Sequence, residues 1–328
     1  MTTKRQWVCA IAGLIALALA PVHAQNPSPP AKPPASAPQP SFATPEEAVN
    51  ALVAAVRAGD RKAVAALMGP DSESWLFSGD RVSDRREWSL FLAAYEKKHG
   101  FAKLSDRKMT LVIGEDQWAF PAPLVKKSSG WTFDGAAGRE EVTNRRVGRN
   151  ELDTIETLLA VVDAQREYAA ADSDGNGFND YARRFVSSKG KKDGLYWPVK
   201  PGERPSPLGP LVAEAAAEGY GKGKQSGEPR AYHGYRYHLL TAQGRDAPGG
   251  AYNYLVKDKL IGGFAVVAYP ARYGVSGVMT FMVNHDGVVY QKDLGPDTAS
   301  SAAAMKQFNP DKTWTKARQV PLRDVAKP

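Results

Sequence analysis

The sequence predicts an α+β protein in which helices lead and antiparallel strands follow, twice over. Three observations predict it. Capped stretches with helical periodicity lie between residues 44 and 99, a strand-like pattern replaces them over 109–133, and a long helical stretch from 139 gives way to five alternating segments between 235 and 292. This order divides the chain into a helix-then-sheet, cone-like domain at 42–138 and a second domain at 139–328, where a long helix packs across an antiparallel sheet. A length of 328 residues suits the division, since single cores typically hold about 100 to 200 residues. With 43% hydrophobic residues and 43 Lys and Arg against 35 Asp and Glu, the chain is not expected to be an acidic disordered tail, a fibrous repeat or a polytopic membrane protein.

Export and spacing come before the first helix. Residues 1–24 begin with Lys4 and Arg5, run apolar over 7–20 and end in Val22, His23 and Ala24, the order of a cleaved signal peptide. An uncleaved anchor wants about 20 apolar residues. A periplasmic or secreted location is expected, with no integral membrane domain after cleavage. Cleavage takes with it Cys9, the only cysteine, so the mature chain has no disulfide, thiolate nucleophile or cysteine metal ligand. It also lowers the formal charge from +8 to +6, because Lys4 and Arg5 leave and no acid does. Residues 25–41 hold Pro27, Pro29, Pro30, Pro33, Pro34, Pro38 and Pro40 and read as a polyproline spacer, at about 3.1 Å per residue.

Thr44, Pro45 and Glu47 form a capping box, the stripe Val49, Leu52, Val53 and Val56 follows, and Gly59 stops the first helix. Asp60 caps a second, which carries Val64, Leu67 and Met68 inward. A third is expected over 84–99 from Trp88, Phe91, Leu92 and Tyr95, with Gly100 as its stop. Strands are expected at 109–113, 120–125 and 131–133. The long helix from Arg139 carries Leu152, Ile155, Leu159 and Val162 on one stripe and ends at Asp172. Short helices are expected over 179–186 and 210–218, then strands at 235–241, 252–256, 264–269, 278–283 and 288–292, with an Asp-Gly hairpin turn at His285, Asp286 and Gly287.

These stretches carry a resemblance. FATPEEAVNALVAAVRAGD from Phe42, GRNELDTIETLLAVVDAQREYAAADSDGNGFNDYARRF from Gly148, DGLYWP from Asp193, TAQGRDAPGGAYNY from Thr241 and YGVSGVMTFMVNHDGVVYQKDLGPDT from Tyr273 resemble an exported Gram-negative family known as domain of unknown function 2950. The resemblance brings no assigned activity. By analogy, the first domain looks like the nuclear-transport-factor-like cone. The second resembles the soluble half of type II pseudopilins, through Leu158, Val161, Asp163, Ala164, Gln165 and Tyr168, although no apolar transmembrane half directly precedes Leu152.

Asp172, Asp174, Asn176 and Asp180 stand at positions 1, 3, 5 and 9 of a calcium-loop template, with Gly177 at the turn. Arg183 replaces the bidentate glutamate at position 12, so a calcium site there needs a carboxylate from elsewhere, such as Asp163 or Glu167. The competing reading is a helix stop built of turn-tolerant residues. His99, His233, His238 and His285 show no chelating spacing. His285, Asp286 and Ser276 make a triad only on paper, and Ser276 lacks the glycines of a nucleophile elbow. Gly219, Gly221 and Gly223 around Lys222 and Lys224 lack the lysine and serine of a phosphate loop and read as a flexible loop. Tyr196 and Trp197, then Tyr232, Tyr235 and Tyr237, then Tyr252 and Tyr254, are dense enough to line a sugar or peptide groove, although packing explains such tyrosines more often.

The short basic clusters at Lys126 and Lys127, Arg145 and Arg146, Arg183 and Arg184, and Lys189, Lys191 and Lys192 are interrupted by acids and read first as solvated faces. An envelope protein or polysaccharide is the expected partner, and nucleic acid is disfavoured by export. No cofactor is expected beyond a calcium ion at 172–180. The leading expectation is an exported, non-catalytic binding or assembly-support module of the envelope, against an envelope hydrolase and a pseudopilin-like subunit.

Overall fold

Helix α1 (Pro45–Ala58) starts where Thr44 Oγ1 accepts from the Glu47 amide at 3.1 Å, and Glu47 in turn accepts from the Ala43 amide at 3.1 Å. Gly59 ends it in the left-handed region. Helices α2 (Arg61–Met68) and α3 (Glu73–Leu76) follow. Helix α4 (Arg81–Lys97) begins earlier than expected, because Asp80 and not Asp84 caps it through the Val82 and Ser83 amides. Asp84 turns inward instead, to the Ser78 amide and hydroxyl at 3.0 and 2.8 Å and to Arg61 at 3.1 Å.

Strands β1 (His99–Ser105), β2 (Lys108–Ile113), β3 (Trp118–Ala119), β4 (Leu124–Lys127) and β5 (Gly130–Phe133) form one antiparallel sheet in the order β1-β2-β4-β5, with β3 also on β2. The sequence reading missed β1, whose burial pattern does not alternate. Leu52, Trp75, Leu111, Leu124 and Phe133 fill the core between these helices and this sheet.

Helix α5 (Gly135–Ala170) is 36 residues long, capped by Asp134 at the Ala137 amide, and starts ahead of the expected Arg139. Its first turn lies flush on its neighbours, since a Cβ at Gly135 would run into the Met68 carbonyl and one at Gly138 into Ala122. Val142 packs against the first core, while Ile155, Leu158, Val161 and Val162 enter a second one. Arg146, expected on the surface, is buried: its guanidinium donates to the carbonyls of Trp75 and Leu76 at 2.8 and 2.7 Å.

The second core is built on a five-stranded antiparallel sheet, β15-β13-β12-β11-β6, from β6 (Tyr235–Leu240), β11 (Ala265–Pro270), β12 (Met279–Asn284), β13 (Tyr290–Asp293) and β15 (Thr315–Lys316). Helix α5 packs on β11 and β12. Helix α7 (Thr298–Ala303) and β14 (Gln307–Phe308) also pack on β11, every residue of which is buried. The segment expected as one strand at 252–256 stands apart from this sheet. Strand β8 (Tyr252–Asn253) pairs with β7 (Ala242–Gln243), and β9 (Leu255–Val256) pairs with β10 (Lys259–Leu260). The turn after β12 places His285 and Asp286 centrally, with the Gly287 amide on the Asn284 carbonyl at 2.9 Å and positive φ at Gly287 alone of the three, so it is wider than a two-residue hairpin.

Residues 179–186 are not a helix. The fully buried Gln165 of α5 takes both backbone groups of Ala182, accepting from its amide at 2.8 Å and donating to its carbonyl at 2.9 Å, while the Tyr181 amide bonds to the Leu260 carbonyl at 3.0 Å. Those partners replace intrahelical ones. The expected helix at 210–218 is present as α6 (Gly209–Ala217).

The computed structural model describes residues 38–218, 220 and 231–318, all within the unit Ala37–Pro328. The signal-like 1–24, most of the 25–41 spacer and the Gly219, Gly221 and Gly223 loop lie outside the described residues. No helix among the described residues is long and apolar enough to cross a membrane.

Candidate functional site

A groove of about 420 Å³ opens beside α6, lined by Tyr196, Trp197, Pro198 and Pro205 and by Val212 and Ala216 of the helix. That volume falls in the range of small-ligand sites. Local bonding holds its floor. Leu195 is fully buried, its amide donates to the Arg184 carbonyl at 3.1 Å, and its carbonyl accepts from the Leu208 amide at 2.9 Å, which ties the aromatic pair to the start of α6. The Trp197 ring sits edge-on to Tyr168 of α5 at 6.4 Å, and the Tyr168 hydroxyl donates to the Lys192 carbonyl at 2.7 Å.

Helix α6 has no buried residue, so an apolar face of it remains on the groove. Among the described residues no charged side chain lines the groove, and Lys192 Nζ lies 5.4 Å from the centre of the Trp197 ring. The Ser206 hydroxyl, on a residue only 2% exposed, has no hydrogen-bond partner among the described residues. Neither the Trp197 indole N–H nor the Tyr196 hydroxyl bonds to any described residue. Rings with unused donors suit a ligand that is apolar in body and carries acceptors.

The end of α6 leads to a second grouping. Tyr232 and Tyr235 exchange backbone bonds at 2.8 and 3.0 Å around His233 and Gly234, both at positive φ (48° and 74°), which makes a tight type I′ turn. The turn sets the His233 ring between two carboxylates, with Nδ1 at 3.3 Å from Asp153 of α5 and Nε2 at 3.6 Å from Glu218, the residue after α6. Arg86 of α4 pairs with the other oxygen of Glu218. Below them Asp80 accepts from the Tyr220 hydroxyl at 2.6 Å and from the Gly234 amide at 3.3 Å. Burial pushes the Asp153 pKa up, opposed by His233, Arg149 and Arg86. Both ring nitrogens face carboxylates, so neither is directed at a place for a reacting atom. Asp153, Glu218 and Arg86 carried no spacing signal in the sequence, and Ser206 none for the groove.

The structure brings Asp172, Asp174 and Asp180 together around Asn176. Asn176 Nδ2 donates to Asp174 at 2.6 Å and to Asp180 at 2.9 Å, and the Asp172 carboxylate accepts from the backbone of Asn176 and Gly177, both at 3.0 Å. Asp163 pairs with Arg166 and Glu167 with Arg204. Among the described residues, no group of three or more His, Cys, Asp or Glu is arranged to hold a metal ion.

The other sequence candidates scatter. Ser276 is fully buried, its hydroxyl accepting from the Arg272 amide at 2.9 Å, whereas His285 contacts Tyr252 at 3.4 Å and Asp286 at 3.8 Å. No contact joins Ser276 to His285 among the described residues. His238 Nε2 lies 3.3 Å from the Met305 carbonyl, and His99 stacks on Tyr95. Tyr235 and Tyr254 are core residues, satisfied by the Met279 carbonyl at 3.0 Å and by Gln243 at 2.8 Å. Of the aromatic runs, Tyr196 and Trp197 alone line the groove.

Fold and groove together define an α+β protein with an open aromatic site on its second, helix-on-sheet half. The chain belongs to the family described as protein of unknown function (DUF2950), whose profile matches residues 39–317. No curated protein and no solved structure gives a significant match to the chain.

Proposed function

We propose that the protein is an exported, non-catalytic binding module of the bacterial envelope, and that the groove beside α6 takes an extended, apolar or proline-containing peptide segment of an envelope partner. The observation that carries this reading is the lining itself: Tyr196, Trp197 and three prolines, with unused donors on the two aromatic side chains and no charged residue among the described lining. A polysaccharide would bring many hydroxyls that such a lining leaves unpaired, whereas a polyproline-type segment presents flat apolar rings and free carbonyls. The signal-like leader supports a periplasmic or secreted location. The long helix on an antiparallel sheet supports the pilin-like description of the second half, here as scaffold. No cofactor takes part, and the loop of Asp172, Asp174, Asn176 and Asp180 is closed by Asn176 and not by a calcium ion in this reading.

The test is a decaproline peptide titrated while the Trp197 indole N–H resonance is followed. A saturable shift that Trp197→Ala abolishes is expected. An indole signal unmoved at millimolar peptide sinks the peptide reading.

A further inference from the structure

A neutral imidazole carries one N–H, and two carboxylates facing its two nitrogens call for two. His233 is in that position, with Asp153 at 3.3 Å from Nδ1 and Glu218 at 3.6 Å from Nε2. The ring and Glu218 are 17% and 14% exposed, so water screens the contact only partly, and the facing oxygen of Glu218 is buried without a hydrogen bond. With the ring protonated, both contacts are attractive. With the ring neutral, one carboxylate meets a nitrogen lone pair.

We infer that His233 is a proton-operated latch on α6, closing the end of that helix onto α5 when the ring is charged and releasing it when the ring is neutral. Glu218 is the C-cap of α6, and the same helix forms a wall of the groove through Val212 and Ala216, so the latch regulates access to the site proposed above and rests on that reading for its purpose, not for its existence. Other groups around it do not replace the ring. From α4, Arg86 holds the far oxygen of Glu218, while Arg149 of α5 is engaged by Glu87. From α6, Glu214 adds a second negative charge near Asp153 and Tyr232. The nearby phenols of Tyr220, Tyr232 and Tyr237 are held neutral by burial, and Asp80 is taken by Tyr220 and the Gly234 amide. Loss of the ring proton therefore leaves Asp153, Glu214 and Glu218 with one cation fewer. The positive φ of His233 keeps the ring fixed in the turn, a conformation that a non-glycine residue holds only when its surroundings impose it.

The direction follows from the contacts: α6 is held while the ring is protonated and freed as rising pH removes the ring proton. The experiment is amide hydrogen exchange of Val212, Ala213, Ala215, Ala216 and Ala217 on the full mature chain at several pH values, corrected for intrinsic exchange, alongside NMR titration of the His233 ring. Protection of α6 is expected to fall roughly three- to tenfold as the ring is deprotonated, with a midpoint equal to the measured ring titration. His233→Asn, which tolerates the left-handed turn, is expected to remove the dependence, and Glu218→Gln to shrink it. Corrected protection that is flat with pH in the wild-type chain, or that changes equally in His233→Asn, overturns the latch. Decaproline binding measured at pH 5.5 and 8 separates the two ideas: a working latch with no peptide bound at either pH refutes the groove reading alone.

Discussion

Arg146 offers the sharpest test of how the helix-and-sheet halves are joined. Its side chain is 4% exposed and its two terminal nitrogens satisfy the Trp75 and Leu76 carbonyls at the end of α3. Arg146→Met keeps most of the stem and removes both bonds. Each orphaned buried carbonyl costs about 1–3 kcal/mol. Part of that is returned, because burial already pulls the guanidinium pKa below its ordinary value, with Glu87 and Asp84 opposing. A net loss of about 3 kcal/mol is expected, a fall in Tm of roughly 6–12 °C for a domain of this size. Urea unfolding read by tryptophan fluorescence measures it, and an unchanged m-value confirms that the two proteins unfold alike. A Met variant as stable as the wild type would mean that burying the charge costs as much as its two bonds return, and the clamp would then contribute nothing net.

Other outcomes follow from the same contacts. Leu158→Ala, at a fully buried position of α5, is expected to lower stability by about 3 kcal/mol in the same assay. Burial raises the pKa of Tyr220, Tyr235 and Tyr254, so above about pH 10 the unfolded chain sheds phenolic protons that the folded one keeps, and stability falls as pH rises. Absorbance at 295 nm and circular dichroism should therefore change together on alkaline titration; full ionisation with the fold intact would contradict the burial. With Asn176 donating to Asp174 and Asp180, adding calcium to chelator-treated protein is expected to leave Tm unchanged. A concentration-dependent rise would show that Asn176 turns its amide oxygen inward and the loop takes the ion.

What the sequence reveals here is largely what is local. The cap at Thr44 with Glu47, and the stop at Gly59, are bonds between residues a few positions apart, and they form as the spacing predicts. Asp80 and Asp84 are equally good caps on paper, and the choice between them is made by Ser78 and Arg61, which claim Asp84. Residues 179–186 have helical spacing, yet Gln165 draws Ala182 into an extended path, which no pattern within the segment records. The groove is half legible. Tyr196 and Trp197 stand out as a pair, but Ser206 and the bare face of α6 matter only once Leu208 binds Leu195. The grouping at His233 is the least legible, since its members come from α4, α5, the end of α6 and a turn, and meet only in the folded chain.

Helix α5 serves both hydrophobic clusters without a break, giving Val142 to one and Ile155 to the other, with Arg146 fastened between them. Severing the chain near its start would strip a wall from the first cluster, and severing it near its end would strand an apolar rod without its sheet. Melting of either cluster is thereby transmitted along one rigid lever to the other, so the described body should come apart in a single cooperative step.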